Sequence, residues 1–185
     1  MSSFLKQLHL RSWWESVTGR RLAPYVPTPQ HVVERMLSIA SVAPGETLHD
    51  VGAGDGRMLI TAALKCRARG VGYEMDEGLV ETAQRLIAEA GVASSVTVLR
   101  QDALSADYSS ADVVTLYLSD HGNAAVLPLL KKATAVRAAR GLPGARVVTF
   151  YFPLSDEPPA KTAKVNGISL FMYQLEAAGH GRGGG

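Results

Sequence analysis

A glycine-rich turn between a short apolar segment and a helical pattern constrains the fold of this chain more than any other feature. The turn spans residues 50–56, carries Gly52, Gly54 and Gly56, and precedes an apolar helical pattern at residues 58–64. Because glycine has no Cβ and tolerates positive φ, such a turn brings the backbone close to a ligand. The helix behind it directs free N–H groups at the same place. The sequence therefore predicts a strand–turn–helix unit that forms a binding site.

Strand and helix patterns alternate along the rest of the chain. Five strands are predicted, at residues 47–51, 70–74, 96–100, 112–118 and 145–152. The dipeptide Asn166-Gly167, between two extended segments, is typical of a β-hairpin. Alternating strands and helices form a parallel sheet that is covered on both faces and binds ligands at the carboxyl ends of its strands. The predicted fold class is therefore α/β: a Rossmann-like, doubly wound sheet, mostly parallel, that ends in an antiparallel hairpin.

These patterns predict one domain, at residues 25–176, whose first helix begins at Thr28-Pro29 with Thr28 as its N-cap. A chain of 185 residues with 46% hydrophobic and 19% charged residues is long enough and apolar enough for one core. Its net charge of +2 is too slight to indicate nucleic-acid binding by itself. No apolar run approaches the roughly 20 residues that a transmembrane helix needs.

The two ends of the chain differ in composition from this domain. Residues 1–24 form a basic amphipathic arm in which Trp13 and Trp14 are interleaved with basic residues and a single acid, Glu15. Such an arm is expected either to target the protein to mitochondria or to dock on a partner, and the two roles are compatible. Residues 177–185 form a glycine-rich tail.

The spacing of the turn indicates which ligand it holds. A dinucleotide fold needs its third glycine where Arg57 stands, and the Gly-Lys-Ser/Thr of a phosphate loop is absent. Asp50, just before the first glycine pair, would repel a pyrophosphate and suits a ligand with a positive group. Glu74 follows the second strand, where a carboxylate accepts hydrogen bonds from ribose hydroxyls. Asp102 and Ala103 follow the third strand and are placed to meet an adenine edge. These features together predict S-adenosylmethionine.

With these motifs in order and at suitable spacing, residues 25–175 resemble a class I (seven-β-strand) S-adenosylmethionine-dependent methyltransferase. Residues 25–29, 72–76 and 113–118, with Asn123, are similar to a narrower group of protein-lysine methyltransferases. Members of that group modify the mitochondrial adenine nucleotide translocase and the ATP synthase c subunit, and prokaryotic relatives exist.

The resemblance implies a role for each cofactor residue. Asp50 with Gly52, Gly54 and Gly56 would hold the methionine moiety, Glu74 the ribose, and Asp102 and Ala103 the adenine. Tyr25 and Thr28 would lie over the cofactor as part of an N-terminal lid. The resemblance also implies a protein substrate, and a mitochondrial location in a eukaryote or a cytoplasmic one otherwise.

The chain departs from the group on the substrate side. Residues 119–122 stand where an apolar-Pro pair is expected, and residues 149–152 lack the expected His. The polar candidates for catalysis at the fourth strand are Asp120, Asn123 and Tyr117, although Asp120 would equally cap the helix that follows. The histidines show no metal-ligand spacing, so no metal is expected. The alternative function is a catalytically weak, methyltransferase-like subunit or assembly factor of a large, possibly mitochondrial complex, which is also the expected route to any contact with nucleic acid.

Overall fold

A computed structural model describes residues 25–177 of the chain. The predicted N-terminal arm and nearly all of the glycine-rich tail lie outside the described residues. The strands are β1 (Thr47–Val51), β2 (Arg69–Glu74), β3 (Val96–Arg100), β4 (Val113–Leu116), β5 (Arg146–Phe150), β6 (Lys161–Val165) and β7 (Ile168–Gln174). The helices are α1 (Gln30–Ile39), α2 (Arg57–Thr61), α3 (Glu77–Glu89) and α4 (Asp120–Ala139).

The strands form a seven-stranded sheet in the order β3-β2-β1-β4-β5-β7-β6. The first five are parallel, while β7 runs antiparallel to both β5 and β6. The α/β sheet with an antiparallel hairpin at its end confirms the predicted fold class. Because the chain reverses direction across the sheet between β1 and β4, the carboxyl ends of these two strands flank a crevice. The glycine turn leaves β1 at this crevice.

Both faces of the sheet are buried. One face packs α1, α2 and α3 on residues such as Leu48 and Val113, and the other packs α4 on Val114 and Leu116. The four residues of β4 are all buried, as expected of a central strand covered on both sides. Removing a side chain such as Leu48, which has no exposed surface, would cost about 2–5 kcal/mol of folding free energy.

One helix prediction needs correction. Helix α1 begins at Gln30 and its N-cap is Pro29, so the prediction of Thr28 as N-cap is wrong. Pro29 adopts an extended conformation (φ −58°, ψ 143°), and the Thr28 carbonyl accepts a hydrogen bond from Arg57 instead. The helix after the glycine turn changes at Thr61 into a π-helical turn, residues 62–66, which ends at Arg67 in a left-handed conformation (φ 56°).

Within residues 25–177, no helix combines the length and the apolar character needed to cross a membrane.

Candidate functional site

A pocket opens at the carboxyl ends of β1, β2 and β3, beneath the segment that precedes α1. It brings together all of the predicted cofactor residues except Gly56. Its lining consists of Tyr25, Val26, Pro27, Thr28, Met36, Asp50, Val51, Gly52, Ala53, Gly54, Asp55, Arg57, Met58, Tyr73, Glu74, Met75, Asp76, Leu79, Gln101, Asp102, Ala103, Tyr117 and Leu118. Gly56 instead packs the turn on α3, since a Cβ there would lie 3.3 Å from the Cβ of Ala83.

The glycine turn is fixed by its backbone. Gly52, Gly54 and Gly56 have φ values of 73°, 55° and 78°, which side chains with a Cβ rarely adopt. The N–H groups of Gly52 and Ala53 both donate to the carbonyl of Tyr73, at 2.9 and 3.0 Å. The turn is therefore tied to β2, and its three glycines are required by conformation, Gly52 and Gly54 also by closeness to the pocket.

Carboxylates surround this turn. Asp50 is buried, and its Oδ1 accepts a 2.6 Å hydrogen bond from the Thr115 hydroxyl. Burial raises the pKa of Asp50 to about 7 against the effect of that hydrogen bond, and the nearby Glu74 and Asp55 charges add to the rise. Such a carboxyl group gains from a cationic ligand, because a positive charge within a few ångströms favours its ionised form.

Glu74 is held in place by backbone donors. Its Oε2 accepts from the N–H of Gly54 at 3.0 Å, and its Oε1 accepts from those of Met75 and Asp76 at 2.8 and 3.0 Å. An ionised carboxylate offers about four acceptor positions, so capacity remains for a ligand hydroxyl.

The adenine-side prediction falls on a short turn after β3. Asp102 caps the 3₁₀ turn Ala103–Ser105, and its Oδ1 accepts from the N–H of Leu104 at 2.9 Å. Asp102 is exposed, whereas Ala103 is buried and its carbonyl accepts from the Tyr108 hydroxyl at 2.9 Å.

A buried cluster behind this turn, His49 with Tyr73 and Tyr108, was not anticipated as part of the site. His49 Nδ1 lies 3.1 Å from the Tyr73 hydroxyl, which donates to the Asp107 carbonyl, and Nε2 lies 3.1 Å from the Ser110 hydroxyl. A neutral ring with its proton on Nδ1 satisfies every partner, and burial lowers the pKa of His49 to about 4. The sequence signal was a histidine inside a strand expected to be buried.

The catalytic candidates at the end of β4 are not brought together. Tyr117 lines the pocket, and its ring lies edge-on to Phe150 with centroids 4.9 Å apart. Asp120 is exposed outside the pocket lining. It does not cap α4, so that alternative is wrong: the cap is Ser119, whose side chain accepts from the N–H of Gly122 at 3.0 Å.

Asn123 is buried beneath the turn that follows β5. Its Nδ2 donates to the carbonyls of Phe152 and Pro153, at 3.0 and 3.3 Å, so the side chain ties α4 to that turn. Its Oδ1 has no hydrogen-bond partner among the described residues. Within residues 25–177, no group of three or more His, Cys, Asp or Glu side chains is arranged to hold a metal ion.

A doubly wound sheet in this strand order, with an antiparallel last hairpin and an acid-lined glycine turn after β1, defines the class I S-adenosylmethionine-dependent methyltransferases. Residues 50–161 match the model of the family described as the ANTKMT methyltransferase domain. The chain belongs to this family, and the resemblance found in its sequence is confirmed.

Proteins of named activity are similar to the chain over most of its length. The protein-lysine N-methyltransferase of Saccharolobus islandicus (strain REY15A) is 36% identical over 143 residues, which cover 77% of this chain and 84% of the relative. The adenine nucleotide translocase lysine N-methyltransferase of Mus musculus is 31% identical over 174 residues, 93% of this chain and 72% of the relative.

A solved structure that is similar to this chain indicates which cofactor the pocket binds. The crystal structure of an RNA methyltransferase from Salinibacter ruber in complex with S-adenosyl-L-homocysteine is 39% identical, with a TM-score of 0.75, and the match covers 82% of this chain and 94% of that chain. The protein is a methyltransferase, and S-adenosylmethionine is its cofactor. The pocket fits that cofactor, because the buried Asp50 carboxyl, the glycine turn and the oriented Glu74 carboxylate line it together.

Proposed function

We propose that the protein transfers a methyl group from S-adenosylmethionine to the side-chain amine of a lysine in a protein substrate. The observation that carries this proposal is the acid-lined pocket at the end of β1 beside Tyr117, in a chain 36% and 31% identical to two named lysine methyltransferases. Lysine as the acceptor is taken from those relatives.

The cofactor residues have separate roles in this proposal. Asp50 and the turn at Gly52 and Gly54 hold the methionine end, where a carboxylate pairs with the ammonium group. Glu74 accepts from the ribose hydroxyls, and the turn at Asp102 and Ala103 receives the adenine. Three features support these roles: the burial of Asp50, the fixed orientation of Glu74, and the shared pocket lining. Gly56 acts through the shape of the turn.

When bound, S-adenosylmethionine supplies an activated methyl group, so the chain's main contribution to rate is positioning. The lysine amine would have to be neutral to accept that methyl group. Tyr117 lines the pocket on the substrate side and contacts the lysine side chain in this proposal. Asp120, exposed at the start of α4, attracts a cationic segment. Asn123 keeps the turn after β5 in place.

The experiment is a transfer assay with S-adenosylmethionine labelled on its methyl group. The full chain is incubated with a protein extract from the cells that encode it, and acid-hydrolysed protein is examined for methylated lysine by mass spectrometry. Label in methyl-lysine supports the proposal, whereas label confined to other side chains contradicts it. Asp50→Asn serves as the cofactor-site variant, and Arg85→Gln, on the exposed face of α3, as its matched control.

RNA is the second candidate substrate, because the 39% identical Salinibacter ruber protein is named an RNA methyltransferase. The same assay with an RNA extract, treated afterwards with nuclease or protease, distinguishes an RNA substrate from a protein substrate. Label released by nuclease alone would assign RNA. Absence of transfer to either fraction, with cofactor bound, would favour the subunit or assembly role.

The names of the mouse relatives support a mitochondrial location if this chain is eukaryotic, and a cytoplasmic one is proposed otherwise. A partner for the N-terminal arm remains a prediction.

A further inference from the structure

Arg57 links the glycine turn to the segment that covers the pocket. Its Nε lies 2.9 and 3.1 Å from the two carboxylate oxygens of Asp55, and its Nη2 lies 2.5 Å from Oδ2. Its remaining arm, Nη1, donates to the Thr28 carbonyl at 3.0 Å. These four contacts are called the latch below, and residues 25–29 are called the lid.

The lid lies directly on the turn. A Cβ placed on Gly54 would lie 2.6 Å from Cε2 of Tyr25, so this ring sits against the turn at a point where only glycine leaves room. Burial, followed by the charge of the nearby Asp55, raises the pKa of Tyr25. Both Tyr25 and Thr28 line the pocket, and the latch holds Thr28 through its carbonyl and fixes Asp55 near Tyr25.

A second anchor supports the end of the lid. Gln30 Nε2 donates to the Thr61 hydroxyl at 3.1 Å, and that hydroxyl donates to the Arg57 carbonyl at 2.7 Å. The end of the lid at Thr28 is thus held by α2, while Tyr25 at its other end lies on the glycine turn and is 42% exposed. A segment held by so few contacts can open without disturbing the core.

Arginine suits this position for a geometric reason. Its planar fork binds a carboxylate with two N–H groups and keeps a further N–H group for another acceptor. A lysine ammonium is a single point charge on a flexible stem and cannot hold both Asp55 and Thr28 in the same way.

We propose that Arg57 is a positioning residue that keeps the lid closed over the methionine end of the cofactor and so sets how long the cofactor stays bound. This inference rests on the proposed placement of the cofactor in this pocket. Arg57 itself makes no contact with the transferred methyl group in the proposal, so the latch governs retention and not the transfer step.

The test compares Arg57→Gln and Arg57→Lys with the full-length wild-type protein. Dissociation of labelled S-adenosylmethionine is followed after a chase with unlabelled cofactor, and kcat and KM are measured for methyl transfer. Arg57→Gln is expected to raise the dissociation rate and the KM for the cofactor about tenfold, with kcat nearly unchanged. For Arg57→Lys, a dissociation rate between those of the wild type and Arg57→Gln is expected. Arg85→Gln breaks an exposed pair with Glu89 and behaves as the wild type.

A coupling measurement adds a readout that loss of fold would not give. Asp55→Asn and Arg57→Gln are expected to raise the dissociation rate of the cofactor to a similar extent, and the double variant is no worse than either alone, because both break the same contact. Asp55→Asn leaves Arg57 in place and weakens the same contact, so it decides the matter if the Arg57 variants fail to fold.

Three outcomes are distinguishable. Failure of the wild type to bind S-adenosylmethionine overturns the proposed site. Binding by the wild type with unchanged dissociation in Arg57→Gln, or in Asp55→Asn if Arg57→Gln does not fold, overturns the latch alone. Faster dissociation in these variants, with the fold and kcat preserved, supports the latch.

Discussion

Cofactor binding should be linked to the loss of a proton from Asp50. Burial raises the pKa of this carboxyl to about 7, with the Glu74 and Asp55 charges contributing in the same direction. The cationic cofactor binds the ionised form in the proposed site, because the methionine end carries an ammonium and a sulfonium group. Raising the pH through this range should therefore tighten binding.

The magnitude follows from the ionised fraction of Asp50. With a pKa of about 7, about one tenth of the carboxyl groups are ionised at about pH 6 and about half at about pH 7. Since the apparent dissociation constant scales inversely with the competent fraction, affinity should rise about fivefold across that interval. The α-amino group of the cofactor, with an ordinary pKa of about 7.7–8.0, stays mostly protonated there.

Isothermal titration calorimetry in two buffers of different ionisation enthalpy measures both the dissociation constant and the number of protons released on binding. At about pH 6 the binding of one cofactor should release about 0.9 proton, and Asp50→Asn should abolish the release while weakening binding. Thr115→Val removes the hydrogen bond to Asp50, so the pH at which cofactor affinity is half-maximal should be higher than in the wild type. A dissociation constant that is the same at both pH values, with no proton released, would refute the reasoning.

Three further perturbations follow from the structure. His49 is buried and neutral with a folded pKa of about 4, so the unfolded state binds more protons between about pH 4 and 6.5. Its contribution to the free energy of unfolding, up to about 3 kcal/mol, should therefore be lost as the pH falls through that window. In chemical denaturation, the free energy of unfolding of His49→Phe should fall less steeply with acidification than that of the wild type. Gly54→Ala should weaken cofactor binding at least about tenfold, because its Cβ meets Tyr25. Gly91→Ala introduces similar left-handed strain with no atom within 4 Å of its Cβ, so it should lower only the melting temperature. Equal cofactor affinities of the two variants would contradict this. Asn123→Ala should raise the KM for the protein substrate and leave the KM for S-adenosylmethionine unchanged, and the reverse pattern in steady-state kinetics would be inconsistent with its position under the turn after β5.

The fold and the cofactor side were predictable from the sequence because their signals are local. The glycine turn, Glu74 and Asp102 each follow a strand, and the ends of parallel strands meet at one edge of a sheet. Asn166-Gly167 likewise carries its own turn geometry, and both residues have positive φ.

The contacts that sequence reasoning missed join residues far apart in the chain. Arg57 reaches the carbonyl of Thr28, and His49 reaches Tyr73 and Ser110 across 24 and 61 positions. No periodicity or motif encodes such pairs, since they depend on how strands and loops stack. The position of Asn123 is similar, because its partners lie after β5, about thirty positions onward.

The start of helix α4 was not predictable from the sequence, for a more local reason. Ser119 and Asp120 are neighbouring residues of equal capping ability, and the sequence does not decide between them. The structure assigns the cap to Ser119, which leaves Asp120 exposed and free of a capping role.

A crystal structure of the full chain with S-adenosylhomocysteine would test the placement of the cofactor most directly. We expect the methionine end between Asp50 and Gly54 under the lid, the ribose hydroxyls on Glu74, and the adenine at the turn of Asp102 and Ala103. Density for the ligand at any other place on the sheet, or at this pocket with its ends reversed, would contradict it.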